Sequence, residues 1–231
     1  MGIAPSDGNL WTIRADGTQM KSLPLNIKEQ KRRDNTHPVW SPDGRRIAFV
    51  SFLFDKDDSE IWLINADGSH LIELVVQKEI QINPTWSPDS REIIYSSTIY
   101  GPAGKIIQDL WIVQSDGRNA KRMLANDSAN FHANWSPDGK KLAFTSDKSG
   151  NMDIWLLELQ TKNVVQLTHH NAYDANPCWS PDSQHLAFVS NRTGTMQIWI
   201  MDITGQHLRQ LTNMPGGCKN PTWSRMKGEI Q

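Results

Sequence analysis

Five residues that both donate and accept hydrogen bonds stand three positions ahead of a tryptophan: His37, Asn83, His132, Asn176 and Asn220. Such side chains, recurring at one offset, can line a mouth that holds a ligand by hydrogen bonds. They can equally cap the segment they open, since asparagine ahead of proline, as in Asn83-Pro84, Asn176-Pro177 and Asn220-Pro221, suits a turn. Two of the five are imidazoles, and His169-His170 adds two more. Imidazole suits several transition metals, so His37 and His132 are the candidate metal ligands. The four histidines nevertheless follow no ligand spacing, and no cofactor is expected.

The acidic residues suggest acid–base chemistry and then argue against it. Asp43, Asp89, Asp138 and Asp182 recur at one place in the repeated Ser-Pro-Asp run. A residue that each repeat needs equally reads as a turn residue whose carboxylate bonds turn amides. Glu60, Asp109 and Asp153, with Asn9 and Gln197 at the same offset, stand two residues before another tryptophan and read as strand-end hydrogen-bonding groups. The run Asp55, Asp57, Asp58 lacks the loop glycine and closing glutamate of a calcium hand, and reads as a solvated loop. No nucleophile elbow, zinc-protease motif or phosphate loop is present, so no catalytic residue is assigned.

The elements that must position these groups follow from the ten tryptophans. Trp40, Trp86, Trp135, Trp179 and Trp223 precede serine at spacings of 46, 49, 44 and 44. Trp11, Trp62, Trp111, Trp155 and Trp199 follow isoleucine or leucine at spacings of 51, 49, 44 and 44. Between the two series run short apolar stretches such as Ile47-Ala48-Phe49 and Leu186-Ala187-Phe188, bounded by Pro, Asp, Gly and Ser. Those stretches are β-strands joined by tight turns. Four strands per unit, A to D, at a period in the forties give a WD-like β-propeller of four-stranded antiparallel blades, an all-β fold. The expected blades are 37–75, 83–124, 132–168 and 176–212 within a single domain, 1–231. Half-blades at 1–25 and 220–231 together make a fifth, so that no sheet edge stays open; the alternative is a fragment of a larger propeller or multidomain protein. Strand A of the last half-blade is expected at Pro221–Ser224 and strand B at Glu229-Ile230.

The runs "NPTWSPDS" at 83–90, "NWSPDGKKLAFTSDKSGNMDIW" at 134–155 and "NPCWSPDSQHLAFVSNRTGTMQIWIMD" at 176–202 resemble the repeat of the TolB propeller family. The resemblance implies a non-catalytic scaffold that binds a protein or an extended peptide at its channel mouth, and a periplasmic, bacterial setting. In such a propeller the A–B and C–D turns share one face and the varied B–C and D–A loops share the other, where binding is expected. His37, Asn83, His132, Asn176 and Asn220 would ring that mouth, with Tyr100, His169 and His170 at its rim. Similar propellers also belong to metal-dependent pectate-type lyases and precede the hydrolase domain of prolyl oligopeptidases, so the enzyme alternative stays open.

Composition narrows the partners. A net charge of −1 gives no field that draws nucleic acid, and no apolar run approaches a membrane span. The basic cluster Lys28, Lys31, Arg32, Arg33 is interrupted by Glu29 and reads as a solvated loop. Cys178 and Cys218 make neither a metal-ligand motif nor a disulfide framework. A monomer is expected.

Overall fold

The computed structural model describes residues 9–27, 33–53, 58–75, 79–100, 106–124 and 127–224. These residues form eighteen strands and no helix. Strands β1 (Leu10–Thr12) and β2 (Lys21–Leu23) pair as a two-stranded sheet. Four sheets of four strands follow. The first holds β3 (Arg33–Trp40), β4 (Arg46–Leu53), β5 (Asp58–Asn65) and β6 (Ile72–Glu73). The next holds β7 (Ile80–Trp86), β8 (Glu92–Tyr100), β9 (Ile106–Gln114) and β10 (Lys121–Arg122). The last two hold β11 (Asn130–Trp135), β12 (Lys141–Ser146), β13 (Asp153–Glu158) and β14 (Val164–Gln166), then β15 (Asp174–Trp179), β16 (His185–Ser190), β17 (Gln197–Asp202) and β18 (Arg209–Gln210). Every sheet keeps sequence order, the antiparallel meander expected of a propeller blade. Two compact units make up the chain, residues 1–99 with 111–121 and residues 100–110 with 122–231.

The turns explain the recurring sequence. In the A–B turn of the first four-stranded sheet, Ser41 Oγ donates to Asp43 Oδ1 at 2.6 Å and accepts from the Arg46 amide at 2.9 Å. The Asp43 carboxylate also accepts from the Arg45 amide at 3.0 Å. Ser87 with Asp89 and Ser136 with Asp138 repeat the serine–aspartate bond at 2.6 Å, and Ser180 with Asp182 repeats it too. The serine hydroxyls hold the carboxyls of Asp43, Asp89 and Asp182 below their usual range. The turn then needs a left-handed residue, supplied by Gly44 and Gly139 or by Ser90 and Ser183. The serines have a second use. Ser90 Oγ accepts from the Asp43 amide at 3.1 Å and Ser183 Oγ from the Asp138 amide at 3.2 Å, tying each sheet to the one before it.

The core lies between successive sheets. In the first unit one cluster joins Ala48, Ile61, Leu63 and Leu74 to Trp86, Ile93, Tyr95 and Val113, and another joins Leu10, Leu23 and Ile27 to Ile47, Phe49 and Ile64. In the second unit Ala143, Ile154, Leu156 and Leu167 pack on Trp179, Leu186, Phe188 and Met201. Two of the tryptophans ahead of a Ser-Pro-Asp run, Trp86 and Trp179, are buried in this layer and bond the preceding sheet. Trp86 Nε1 donates to the Val39 carbonyl at 3.2 Å, and Trp179 Nε1 to that of Asn134 at 2.9 Å. Trp223 does the same to the Cys178 carbonyl at 3.1 Å. Pro221–Ser224 is not itself a strand: no paired ladder holds it among the described residues, and the expected partner at Glu229-Ile230 lies outside them.

Candidate functional site

The five residues of the expected mouth share a backbone feature. His37, Asn83, His132, Asn176 and Asn220 have φ of 51°, 54°, 51°, 54° and 53°. In the four complete strands A the ladder register slips at these residues, between Thr36 and Val39, Ile82 and Thr85, Phe131 and Asn134, and Ala175 and Cys178. His37, Asn83, His132 and Asn176 therefore each sit in a β-bulge whose extra residue is left-handed, which bends the strand and re-aims its side chain. Asn and His are among the few non-glycine residues that enter this region readily. The residue types that suggested hydrogen bonding to a ligand are thus also the types that the bulge requires.

Their side chains differ in surroundings. His37 is exposed and its Nδ1 lies 3.0 Å from Thr36 Oγ1. Asn83 is half-buried. His132 is half-buried, its ring edge-on to Phe131 at a centroid distance of 4.7 Å. In the second unit Asn176 Nδ2 donates to Asn220 Oδ1 at 2.9 Å, and the Asn176 amide donates to Thr145 Oγ1 at 3.2 Å. These contacts bring two of the expected mouth residues together. His37 and Asn83 belong to the first unit and the other three to the second.

Of the expected rim, His169 and His170 are exposed. His170 Nδ1 accepts from the Ala172 amide at 3.0 Å, so that nitrogen's lone pair is engaged inside the loop. Tyr100 ends β8 and its side chain lies outside the described residues, as do Asp55, Asp57, the Asp58 side chain, Lys28, Lys31 and Arg32. Among the described residues no group of three or more His, Cys, Asp or Glu is placed to hold a metal ion. No helix among them is long and apolar enough to cross a membrane.

The acids two residues before the second tryptophan are engaged in the fold. Glu60 pairs with Arg33 at 2.7 Å and accepts from Trp62 Nε1 at 3.1 Å. Asp153 accepts from Ser149, Thr168 and Gln166 at 2.6, 2.9 and 3.1 Å. Gln197 takes the same role in the last sheet, accepting from Thr212 Oγ1 at 2.8 Å and the Met214 amide at 3.1 Å. Buried Asp109 lies 2.6 Å from Arg122 Nη2; burial lifts its carboxyl above the usual range against the pull of that arginine.

Sequence reasoning missed one pair. Asp174 and Arg192 form an ion pair at 2.7 Å with side chains 0% and 9% exposed, and the guanidinium lies 4.7 Å over the Trp199 ring. Lys148 lies 5.3 Å over Trp155 in the same way. Both cations stand thirteen residues after their Ser-Pro-Asp tryptophan, Trp135 to Lys148 and Trp179 to Arg192, so aligning the repeats position by position would have exposed them.

Residues 107–230, more than half of the chain, match the TolB beta propeller domain. The structure resembles TolB from Acinetobacter baumannii with a TM-score of 0.72 and 24% identity, over 90% of this chain and 50% of that one. It resembles a putative TolB from Agrobacterium tumefaciens with a TM-score of 0.68 and 20% identity, over 88% of this chain and 73% of that one. An oligogalacturonate lyase in complex with manganese is similar at a TM-score of 0.67 and 16% identity, over 90% and 59% of the two chains. A 62-residue stretch is 36% identical to an oligogalacturonide lyase of Pectobacterium atrosepticum, covering 26% of this chain and 14% of the lyase. The chain thus spans about half of the first TolB and a small part of that lyase. At these identities the structural likenesses show the fold. The chain belongs to the TolB β-propeller domain family.

Proposed function

We propose that this propeller is a non-catalytic scaffold that takes a protein or extended peptide at the face of its B–C and D–A loops, with His37, Asn83, His132, Asn176 and Asn220 as the contacting side chains. The observation that carries this reading is how the polar groups are used. The repeated aspartates bond their own turns, and the second set of acids bonds hydroxyls, amides and arginines. His37, Asn83, His132 and Asn176 within strand A, and Asn220 ahead of Pro221, instead carry hydrogen-bonding side chains on a left-handed backbone, and His37 and Asn220 are exposed. Loops and strand ends on a rigid sheet are where binding groups concentrate.

The test must respect the left-handed backbone. Alanine there adds strain of about 1–3 kcal/mol, whereas glycine keeps the conformation and removes only the side chain. The probe is an array of immobilised extended peptides. Loss of the wild-type signal in the His132→Gly/Asn176→Gly variant, with unchanged thermal unfolding, is the expected result. An unchanged signal would sink this assignment.

The 62-residue likeness to a lyase favours a second reading, a metal-dependent lyase that uses His37 and His132. It requires oligogalacturonide cleavage that a chelator abolishes, and cleavage by the His37→Gly/His132→Gly variant would exclude those ligands.

A further inference from the structure

The D–A loop of the second unit that leads into β15 carries a side chain that sequence reading passed over. Tyr173 stands three residues before Asn176, about 10 Å away at ~3.3 Å per residue along the strand. It keeps 36% of its surface exposed. Among the described residues its hydroxyl makes no hydrogen bond, while the loop around it is tied down at nearly every position. Thr168 Oγ1 accepts from the Ile154 amide at 2.9 Å and donates to Asp153. Asn151 Nδ2 donates to the carbonyls of His170 and Ala172 at 2.9 and 3.0 Å. The Ala172 amide donates to His170 Nδ1, and the Tyr173 amide to Asn191 Oδ1 at 2.9 Å. The Asp174 amide donates to the Met152 carbonyl at 2.9 Å, and the Asp174 carboxylate is held by Arg192.

We infer that Tyr173 is the anchor of the binding rim, where it receives an apolar side chain of an extended peptide against its ring and a peptide carbonyl on its hydroxyl. The inference rests on the scaffold reading above and names a residue and a ligand chemistry for it. Tyrosine gives a large amphipathic contact with few torsions to freeze, and it is enriched among the residues that dominate binding energy. A loop already fixed by its own hydrogen bonds loses little further freedom when a partner arrives. Charge on the loop is local: Asp174 is neutralised by Arg192, so an uncharged segment meets no unpaired opposing charge there. Asn176, three residues further on in β15 and bonded to Asn220, offers the adjoining polar contact.

The experiment measures the anisotropy of the best fluorescent peptide from the array against wild type, Tyr173→Ala, Tyr173→Phe and Asn151→Ala, with thermal unfolding of each as the folding control. Tyr173→Ala should weaken binding at least tenfold with little change in unfolding temperature. Tyr173→Phe should lose a smaller factor, about threefold, that of the hydroxyl alone. Asn151→Ala should also weaken binding, because a loosened loop must be ordered on association. A wild type that binds and a Tyr173→Ala variant of equal affinity would overturn this inference and leave the scaffold reading standing. A wild type that binds no peptide would overturn both. Should Tyr173→Ala fail to fold, the Tyr173→Phe and Asn151→Ala affinities decide, and wild-type values for both would reject the anchor.

Discussion

In the second unit, β12 and β16 each end after six residues, and the residue that follows turns back on strand A. Asp147 Oδ1 accepts from the Ala129 amide at 2.8 Å, and Asn191 Oδ1 accepts from the Tyr173 amide at 2.9 Å. Both stand twelve residues after their Ser-Pro-Asp tryptophan, Trp135 to Asp147 and Trp179 to Asn191. In the first part of the chain Phe52 and Thr98 hold that position, and the ladder runs on: β4 has eight residues and β8 nine. β4 pairs with β3 as far as Arg33 with Leu53. One position in the repeat therefore decides whether a blade ends in a polar cap or extends into a longer hairpin. The capped blades carry short, pinned loops, and the uncapped ones carry the long B–C loops.

The same contrast appears within the first unit at its tryptophans. Trp86 is 5% exposed, donates to the Val39 carbonyl, and has the Arg46 guanidinium 4.9 Å over its ring. Trp40, its equivalent one repeat earlier, is 52% exposed, because the described residues ahead of it supply strands of the C and D type and no strand A. This comparison predicts the largest effect. Trp86→Ala should cost about 3–5 kcal/mol, the range for truncating a buried aromatic, and Trp40→Ala less than half of that. Urea unfolding of the two variants checks it, and equal losses would mean that Trp40 is covered as fully as Trp86.

Two glycines of the first unit differ in the same sense. Gly117 and Gly17 occupy the same place in the C–D turn, with φ of +83° and +80°. A Cβ on Gly117 would stand 2.8 Å from the Leu74 carbonyl oxygen, whereas one on Gly17 would meet nothing within 4 Å. Gly17→Ala should cost only the left-handed strain, about 1 kcal/mol, and Gly117→Ala about 3 kcal/mol once the clash is added. Equal midpoint shifts on urea unfolding would show that the Leu74 carbonyl gives way.

The meander, its turns and the two tryptophan series were legible in the sequence because each rests on local chemistry repeated several times over. Ser-Pro-Asp bonds its own turn, and all four of the four-stranded sheets show it. The candidate site was legible only as a set of positions. His37, Asn83, His132, Asn176 and Asn220 could be picked out by offset, but the bulge that holds the first four exists only when strand B is laid against strand A. The restriction to Asn and His was the available clue to that geometry. Tyr173 and Arg192 were not found because their meaning comes from long-range partners, Asn191 for one and Asp174 with Trp199 for the other.

The smallest effect concerns a place where the first unit departs from the common residue. Phe49, Phe144 and Phe188 fill one core position in three blades, and Tyr95 fills it in the fourth. Among the described residues its buried hydroxyl has no hydrogen-bond partner. An unsatisfied buried hydroxyl costs on the order of 1–3 kcal/mol, so Tyr95→Phe should raise stability at pH 7 by about 1 kcal/mol. The pH dependence follows with a definite sign. Burial, and then the charge of Glu79, push the Tyr95 phenol above its ordinary value. A group whose folded pKa is raised contributes stability that is fully present below its unfolded pKa, about 10 for tyrosine, and that is lost as pH rises toward the folded value. Wild type should therefore weaken between pH 9 and 11 more than Tyr95→Phe does, so the gap between their urea midpoints widens with pH. A variant less stable than wild type at pH 7 would mean that the hydroxyl has found a partner, and the apolar residue of the other blades would then not be the better choice at this position.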